Sequence, residues 1–226
     1  LQPERGRAAS RAMREFLTPI VEDRRRNPRD DLISDIVHAE VDGERLDDEH
    51  IYGFLRLLLP AGAETTFRAM GNALLALLEH PEVLERVRRD RTLLPRAIEE
   101  TLRWETSVTM LTRVANRDGE VGGCPISKGT VVSMLIGSAN HDERHFDRPE
   151  EWNLDRGDES SHLAFGWGRH LCLGMHLARL ELRVGLNAVL DRLPGLRLDP
   201  ERPHPEIRGH AFRGPTTLPV LFDAAR

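Results

Sequence analysis

Apolar positions recur at helical spacing through most of the first half of the chain. Phe16, Leu17, Ile20 and Val21 share one face of a helix predicted over residues 7–26. Arg24, Arg25 and Arg26 close it, where cations suit the negative end of a helix dipole, and the run reads as a solvated helix end. Asn27-Pro28 breaks the pattern. Asp30 or Asp31 can cap a second helix reaching about Glu40, and Asp42-Gly43 signals a turn. The longest helical stretch covers residues 47–80, with Pro60 and Gly62 near its middle. Proline removes a backbone donor and crowds the preceding turn, so a kink or local opening is predicted there. Two shorter helices are predicted over residues 81–90 and 92–105.

The pattern then changes. Between Arg113 and Ile136, Gly119, Gly122-Gly123 and Lys128-Gly129 punctuate short apolar runs, which reads as a small antiparallel sheet with tight turns. Residues 137–161 are polar and lack periodicity, and so long an irregular connection is expected to wrap a functional site. Residues 162–171 form a glycine-rich loop. Residues 172–192 return to helix, with Leu173, Leu177, Leu180, Val184 and Leu186 as its apolar face. The tail, residues 196–222, is turn-rich with short β candidates. The fold class implied is mainly α with one small antiparallel β-sheet packed to the side.

Composition narrows the function classes. The 226 residues suit one ordinary domain or part of a larger one. A formal net charge of -5 gives no reason to expect a nucleic-acid or anionic-membrane partner. The most apolar region, residues 55–78, is interrupted by Arg56, Glu64 and Arg68, so no membrane helix is expected. Two cysteines far apart, Cys124 and Cys172, make no disulfide framework and suit a reducing, cytoplasmic compartment. The chain begins at Leu1 rather than Met, and its natural amino terminus is expected to lie upstream.

Chemistry concentrates in Phe165-Gly166-Trp167-Gly168-Arg169-His170-Leu171-Cys172-Leu173-Gly174. Its glycines allow a tight loop that gathers backbone N–H groups. Cys172 is placed at the start of a helix, where a thiol is shifted toward the thiolate that iron ligation needs. A buried structural cysteine after a glycine turn is the bland alternative. A second segment, Ala61-Gly62-Ala63-Glu64-Thr65-Thr66, puts a glycine, an acid read as buried, and hydroxyls in mid-helix. On its own it also fits a kinked core helix whose hydroxyls bond the preceding turn. A third, Glu100-Thr101-Leu102-Arg103, pairs an acid and a base three apart, which alone is commonly a surface pair.

The three in this order resemble cytochrome P450 of the soluble bacterial type. The cysteine segment matches every fixed position of the family's Phe-Gly-x-Gly-x-(His/Arg)-x-Cys-x-Gly loop, and Leu177-Ala178-Arg179 continues the likeness. The resemblance implies haem b (iron protoporphyrin IX) as cofactor and Cys172 as the iron ligand. It implies that His170 and Arg113 contact haem propionates and that Phe165 packs near the sulfur. Gly166, Gly168, Gly174 and Ala178 would lie against the cofactor, with Ala61 and Gly62 on its oxygen side. Glu64 and Thr65 would be the acid–alcohol pair relaying protons to dioxygen. Glu100 and Arg103 would be the structural Glu-x-x-Arg pair, tied to the irregular segment. Here the chain departs from the pattern. Glu151 stands where a third partner arginine is usual, and Arg148 or Arg156 could replace it.

The implied activity is monooxygenation of a small apolar substrate, with electrons from NAD(P)H through a ferredoxin or flavodoxin-type donor. Residues 108–111 are the one pocket wall the sequence offers. The whole chain would be a single partial domain, the carboxy-terminal half of the fold with the amino-terminal part absent. That makes a truncated, catalytically inactive haem-binding remnant the alternative. Dehydration or peroxide chemistry is disfavoured by the retained Glu64-Thr65 pair. Arg113 could equally face solvent. A zinc site from Cys172, His176, His162 and His170 lacks a second thiolate element. His141 and His145 read as solvated, and Cys124 as structural.

Overall fold

The computed structural model describes residues 3–157 and 161–224. The chain divides into two compact units, Leu1–Ala63 and Glu64–Arg226. The boundary falls inside one helix.

The first unit opens with α1 (Pro3–Arg26) and α2 (Leu32–His38). A hairpin of β1 (Glu40–Val41) and β2 (Glu44–Arg45) follows, then the first part of α3 (Asp48–Glu79). Of the two candidate caps of α2, Asp31 is the one used: its Oδ1 accepts the Ser34 N–H at 2.9 Å. The core gathers Leu17, Val21, Ile36, Val37, Ile51, Tyr52 and Leu55. Phe16, expected on that face, is exposed, because the buried stripe runs through Leu17 and Val21, four apart, one residue round the helix. The basic end of α1 is not simply solvated. Arg24 is half-buried and donates to Asp31 at 2.5 Å and Asp23 at 2.6 Å, joining α1 to the start of α2. That pairing, led by the Arg24 hydrogen bond, holds the Asp31 carboxyl at about 2.

Helix α3 runs unbroken for 32 residues through Pro60 and Gly62. The expected local opening is not seen. One proline deletes a single N–H donor, and the hydrogen bonds of the flanking turns carry the helix past it.

The second unit continues α3 and adds α4 (Pro81–Arg89), α5 (Leu94–Trp104), the short α6 (Ile136–Ala139) and α7 (Met175–Arg192). Its core interleaves Ala69, Ala73, Ala76 and Leu77 of α3 with Val83, Leu84 and Val87 of α4. Ala97, Ile98 and Leu102 of α5 and Leu182, Leu186 and Leu190 of α7 complete it, with Trp152 and Leu154 from the irregular segment.

The β structure is not one sheet but antiparallel pairs. β3 (Met110–Val114) pairs with β6 (Val131–Leu135), Met110 opposite Leu135 and Val114 opposite Val131. β4 (Gly119–Val121) and β5 (Cys124–Ile126) form a hairpin. Gly122 and Gly123 both have positive φ, 57° and 81°, as a two-residue turn matched to strand twist demands. In the tail, β7 (Arg197–Leu198) pairs with β10 (Val220–Leu221), and β8 (Ile207–Arg208) with β9 (Gly214–Pro215). Val108 bridges to Phe212, joining the tail to the approach of β3. These strands are two to five residues long, too short to merge into a wider sheet.

Of the connection predicted over residues 137–161, residues 158–160 lie outside the described residues. The rest is turns and the short α6, as its lack of periodicity implies.

Candidate active site

The cysteine loop is built by its own backbone. Gly166 N–H donates to Leu163 O at 2.8 Å, and Gly166 and Gly168 take φ of 75° and 71°, left-handed values that a side chain resists. A single 3₁₀ turn over Gly168–His170 follows, and Leu171 then turns extended, at φ −51° and ψ 135°. The loop closes where Cys172 N–H donates to Phe165 O at 2.9 Å. Cys172 therefore stands before α7 rather than as its first residue: the helix begins at Met175 with Gly174 as cap, since the extended Leu171 delays helical geometry. A Cβ added at Gly174 would lie 4.0 Å from the Cys172 Sγ, so this glycine borders the sulfur.

The thiol is exposed. So are Leu173, in the turn before α7, and Leu177, Leu180 and Val184, whose spacing of three and four makes one stripe along the helix. This corrects the predicted core face. The buried stripe is Leu182, Leu186 and Leu190, and only Leu186 of the five expected residues belongs to it. Helix α7 is apolar on two sides, and its sequence does not say which side meets the core.

His170 and Arg113 are both exposed. Arg113 sits on β3 opposite Val132, with its guanidinium bonded to Thr112 O at 2.9 Å. Ala178 is half-buried in the first turn of α7. Ala61 and Gly62 fall in the first unit and are exposed, and a Cβ at Gly62 would meet nothing within 4 Å. Glu64 is not buried. Its side chain is 47% exposed and ion-paired with Arg68 one turn on, at 2.5 Å. On a face the unit leaves open, an acid finds a base at i+4 rather than a buried niche. Thr65, next to it, is half-buried.

The Glu-x-x-Arg pair is fully buried. Arg103 and Glu100 are both 0% exposed. Arg103 makes five hydrogen bonds: Nε and Nη2 to the two Glu100 oxygens at 2.9 Å, Nη1 to the carbonyls of Asn140 and Pro149, and Nη2 to that of Glu151. Arg156 is the third partner. Its Nε lies 3.0 and 3.1 Å from the two Glu100 oxygens, and its other nitrogens reach the carbonyls of Asp147, Arg148 and Glu151. Arg148 instead pairs on the surface with the Glu151 side chain at 2.8 Å. The departure at Glu151 is thus harmless: its carboxylate faces out, and only its backbone carbonyl enters the cluster. An irregular segment cannot pair its own carbonyls, and two guanidinium forks do it instead.

A second network escaped the sequence reading. Glu99, next to Glu100, accepts both Nε and Nη2 of Arg179 at 2.7 Å and faces His162 Nε2 at 3.1 Å. Burial alone would push its carboxyl up, but the hydrogen bonds from Arg179 and His162 outweigh that and hold it at about 2. The Arg179 guanidinium lies 4.5 Å over the Phe165 ring. The Glu99-Glu100 doublet and Arg179 were visible signals, but nothing local joins residues 80 apart.

Whether these residues fit a haem can be judged from the donors. One exposed thiol bordered by glycine, an adjoining exposed apolar stripe, and an exposed arginine and histidine suit an apolar ring with anionic edges and one thiolate ligand. Among the described residues no group of three or more His, Cys, Asp or Glu side chains is placed to hold a metal ion, which leaves the zinc alternative without support.

Such a cysteine loop, with a buried Glu-x-x-Arg cluster in a mainly α fold, is the arrangement that the family resemblance implies. The cytochrome P450 profile matches residues 3–212, and the chain belongs to that family. It is 38% identical over 94% of its length to the polyketide biosynthesis cytochrome P450 PksS of Bacillus subtilis, covering 53% of that protein. It is 39% identical over 93% of its length to the steroid C26-monooxygenase of Mycolicibacterium smegmatis, covering 52%. The structure of CYP109E1 from Bacillus megaterium in complex with testosterone superimposes with a TM-score of 0.89 at 34% identity, over 98% of this chain and 61% of that one. The chain spans about half the length of the curated relatives it matches.

Proposed function

We propose that the chain is the haem-holding part of a monooxygenase that inserts one atom of dioxygen into a small apolar substrate, with electrons from NAD(P)H through a ferredoxin or flavodoxin-type donor. The observation that carries the reading is the complete cysteine loop, with both glycines in left-handed geometry and Cys172 N–H closing on Phe165 O. Two similar proteins, the steroid C26-monooxygenase and the testosterone-bound CYP109E1, support an apolar substrate by their names. The cytoplasm is the proposed compartment, in keeping with two free cysteines. Among the described residues no helix is long and apolar enough to cross a membrane.

In this reading Cys172 holds the iron of haem b through its thiolate. Gly166, Gly168 and Gly174 keep the loop low beside the sulfur, and Phe165 shields it. His170 and Arg113 bind the propionates, a carboxylate being what a guanidinium fork best matches. Ala178 would pack against the ring from α7. When bound, haem supplies the activation of dioxygen that a thiolate ligand promotes. Glu64 and Thr65 form the proton relay: the Thr65 hydroxyl both donates and accepts, and the Glu64 carboxyl replenishes it from solvent once it leaves Arg68. Residues 108–111 form an apolar wall for substrate. A second reading is a chain that holds haem without turnover, favoured by its matching only about half the length of the curated relatives.

The test is reconstitution with haem, reduction under carbon monoxide, and comparison with Cys172→Ala. A Soret band at the thiolate position, lost in the variant, is expected. No haem uptake, or the same spectrum from both proteins, refutes the reading. Substrate oxidation by the reconstituted chain with a donor system separates turnover from haem binding alone.

A further inference from the structure

We propose that Glu99 is a positioning residue for the cysteine loop, acting through Arg179 and His162; this rests on the reading of Cys172 as the iron ligand. The argument starts at the cysteine backbone. Cys172 N–H is bonded to Phe165 O, so the place of the sulfur follows the place of Phe165. The Phe165 ring lies against the Arg179 guanidinium at 4.5 Å. A guanidinium on a flexible stem holds a ring only if it is itself fixed, and two 2.7 Å bonds to Glu99 fix it in plane.

The same carboxylate reaches the residue before Phe165. Ala164 N–H donates to His162 Nδ1 at 3.2 Å, which makes Nδ1 the acceptor and leaves Nε2 carrying the proton. His162 Nε2 then donates to Glu99 Oε2 at 3.1 Å. One half-buried acid thus orients a ring that holds Ala164 and a guanidinium that holds Phe165. His162 is nearly inaccessible, with a side chain 2% exposed, so this linkage is not a solvated surface pair. Glu99 in turn is carried by α5, whose Leu94, Ala97, Ile98 and Leu102 are locked in the core.

The neighbouring acid does different work. Glu100 and Arg103 hold the irregular segment, and Asn140, whose carbonyl accepts from Arg103, uses its Oδ1 to accept Leu163 N–H at 2.7 Å. Adjacent acids on one helix therefore anchor three consecutive residues of the loop entry: Leu163 through Glu100, and Ala164 and Phe165 through Glu99. A plain clamp between α5 and α7 would need only Arg179 and Glu99. The inclusion of His162 and the stacking on Phe165 direct the network at the loop.

The experiment compares the full chain with Glu99→Gln, Arg179→Ala and Arg179→Lys by amide hydrogen exchange and, after haem loading, by ferrous–carbon monoxide spectrum and reduction potential. Exchange over residues 163–172 is expected to rise roughly tenfold in Glu99→Gln and Arg179→Ala, while α5 and the buried end of α7 keep their protection. Part of the thiolate Soret band is expected to be lost and the potential to move. Arg179→Lys, which keeps the charge but not the planar face, should recover only part of each change. Unchanged loop exchange overturns the proposal, as does loosening of loop and helices together, the signature of a plain clamp. Wild-type spectra from Cys172→Ala would instead remove the iron-ligand reading while leaving the exchange result standing.

Discussion

Replacing Arg103 with leucine tests the reasoning about the buried cluster most directly. The wild-type cluster sets two guanidinium groups against one carboxylate, with backbone carbonyls absorbing the excess positive charge. In Arg103→Leu, Glu100 keeps Arg156 and the Asn153 N–H but loses its closest fork. The carbonyls of Asn140 and Pro149 lose this donor, while that of Glu151 keeps Arg156. Removing one partner of a buried pair costs about 3–5 kcal/mol, and each stranded carbonyl adds to that rather than offsetting it. In a chain of this size that is a fall in melting temperature of roughly 10 °C. The three tryptophans, Trp104, Trp152 and Trp167, all lie in the second unit, and Trp152 and Trp104 donate to Thr101 Oγ1 and Glu150 O at the cluster's edge. Tryptophan fluorescence in a urea titration therefore reports this unit alone. Arg144→Ala, on a solvated pair with Asp142, is the control and should leave the midpoint unmoved. A loss below about 1 kcal/mol in Arg103→Leu, at unchanged urea slope, would refute the claim that the cluster holds the irregular segment in place.

Arg156→Leu should cost less, roughly 1–3 kcal/mol in the same titration, because the fork from Arg103 to Glu100 survives and is charge-neutral. Leu186→Ala, at a fully buried position on α7, should cost about 2–5 kcal/mol by urea unfolding. Leu177→Asp, on the exposed stripe, should leave the urea midpoint within about 0.5 kcal/mol yet weaken haem uptake in a titration; equal uptake would remove that stripe from the site. Acid should find Glu99. Its folded pKa of about 2 lies below the ordinary 4.5, so its contribution is complete above about pH 4.5 and is lost as pH falls toward 2. The loss is on the order of 3 kcal/mol, and Glu99→Gln should unfold with a visibly flatter pH dependence across that window.

What the sequence determined by itself was what neighbouring residues determine together. The helices follow from apolar spacing, the Gly122-Gly123 hairpin from two residues that tolerate positive φ, and the cysteine loop from glycines at two left-handed sites, Gly166 and Gly168. The family's three motifs, and so Cys172, Glu100 and Arg103, were legible because each is a run of consecutive residues. What only the tertiary structure decided were matters of path and side. It chose Arg156 over Arg148, because the irregular segment turns one arginine inward and the other to solvent. It exposed Glu64, read as buried, and gave it Arg68. It turned Leu182, Leu186 and Leu190 to the core and left Leu173, Leu177, Leu180 and Val184 outside, a choice an apolar-on-both-sides helix cannot announce. And it brought Glu99 to His162 and Arg179, 63 and 80 residues away. A hydrogen bond between distant residues depends on the route of the whole intervening chain, whereas periodicity and turn chemistry are fixed within four residues, and that difference in range separates what could be read from what had to be seen.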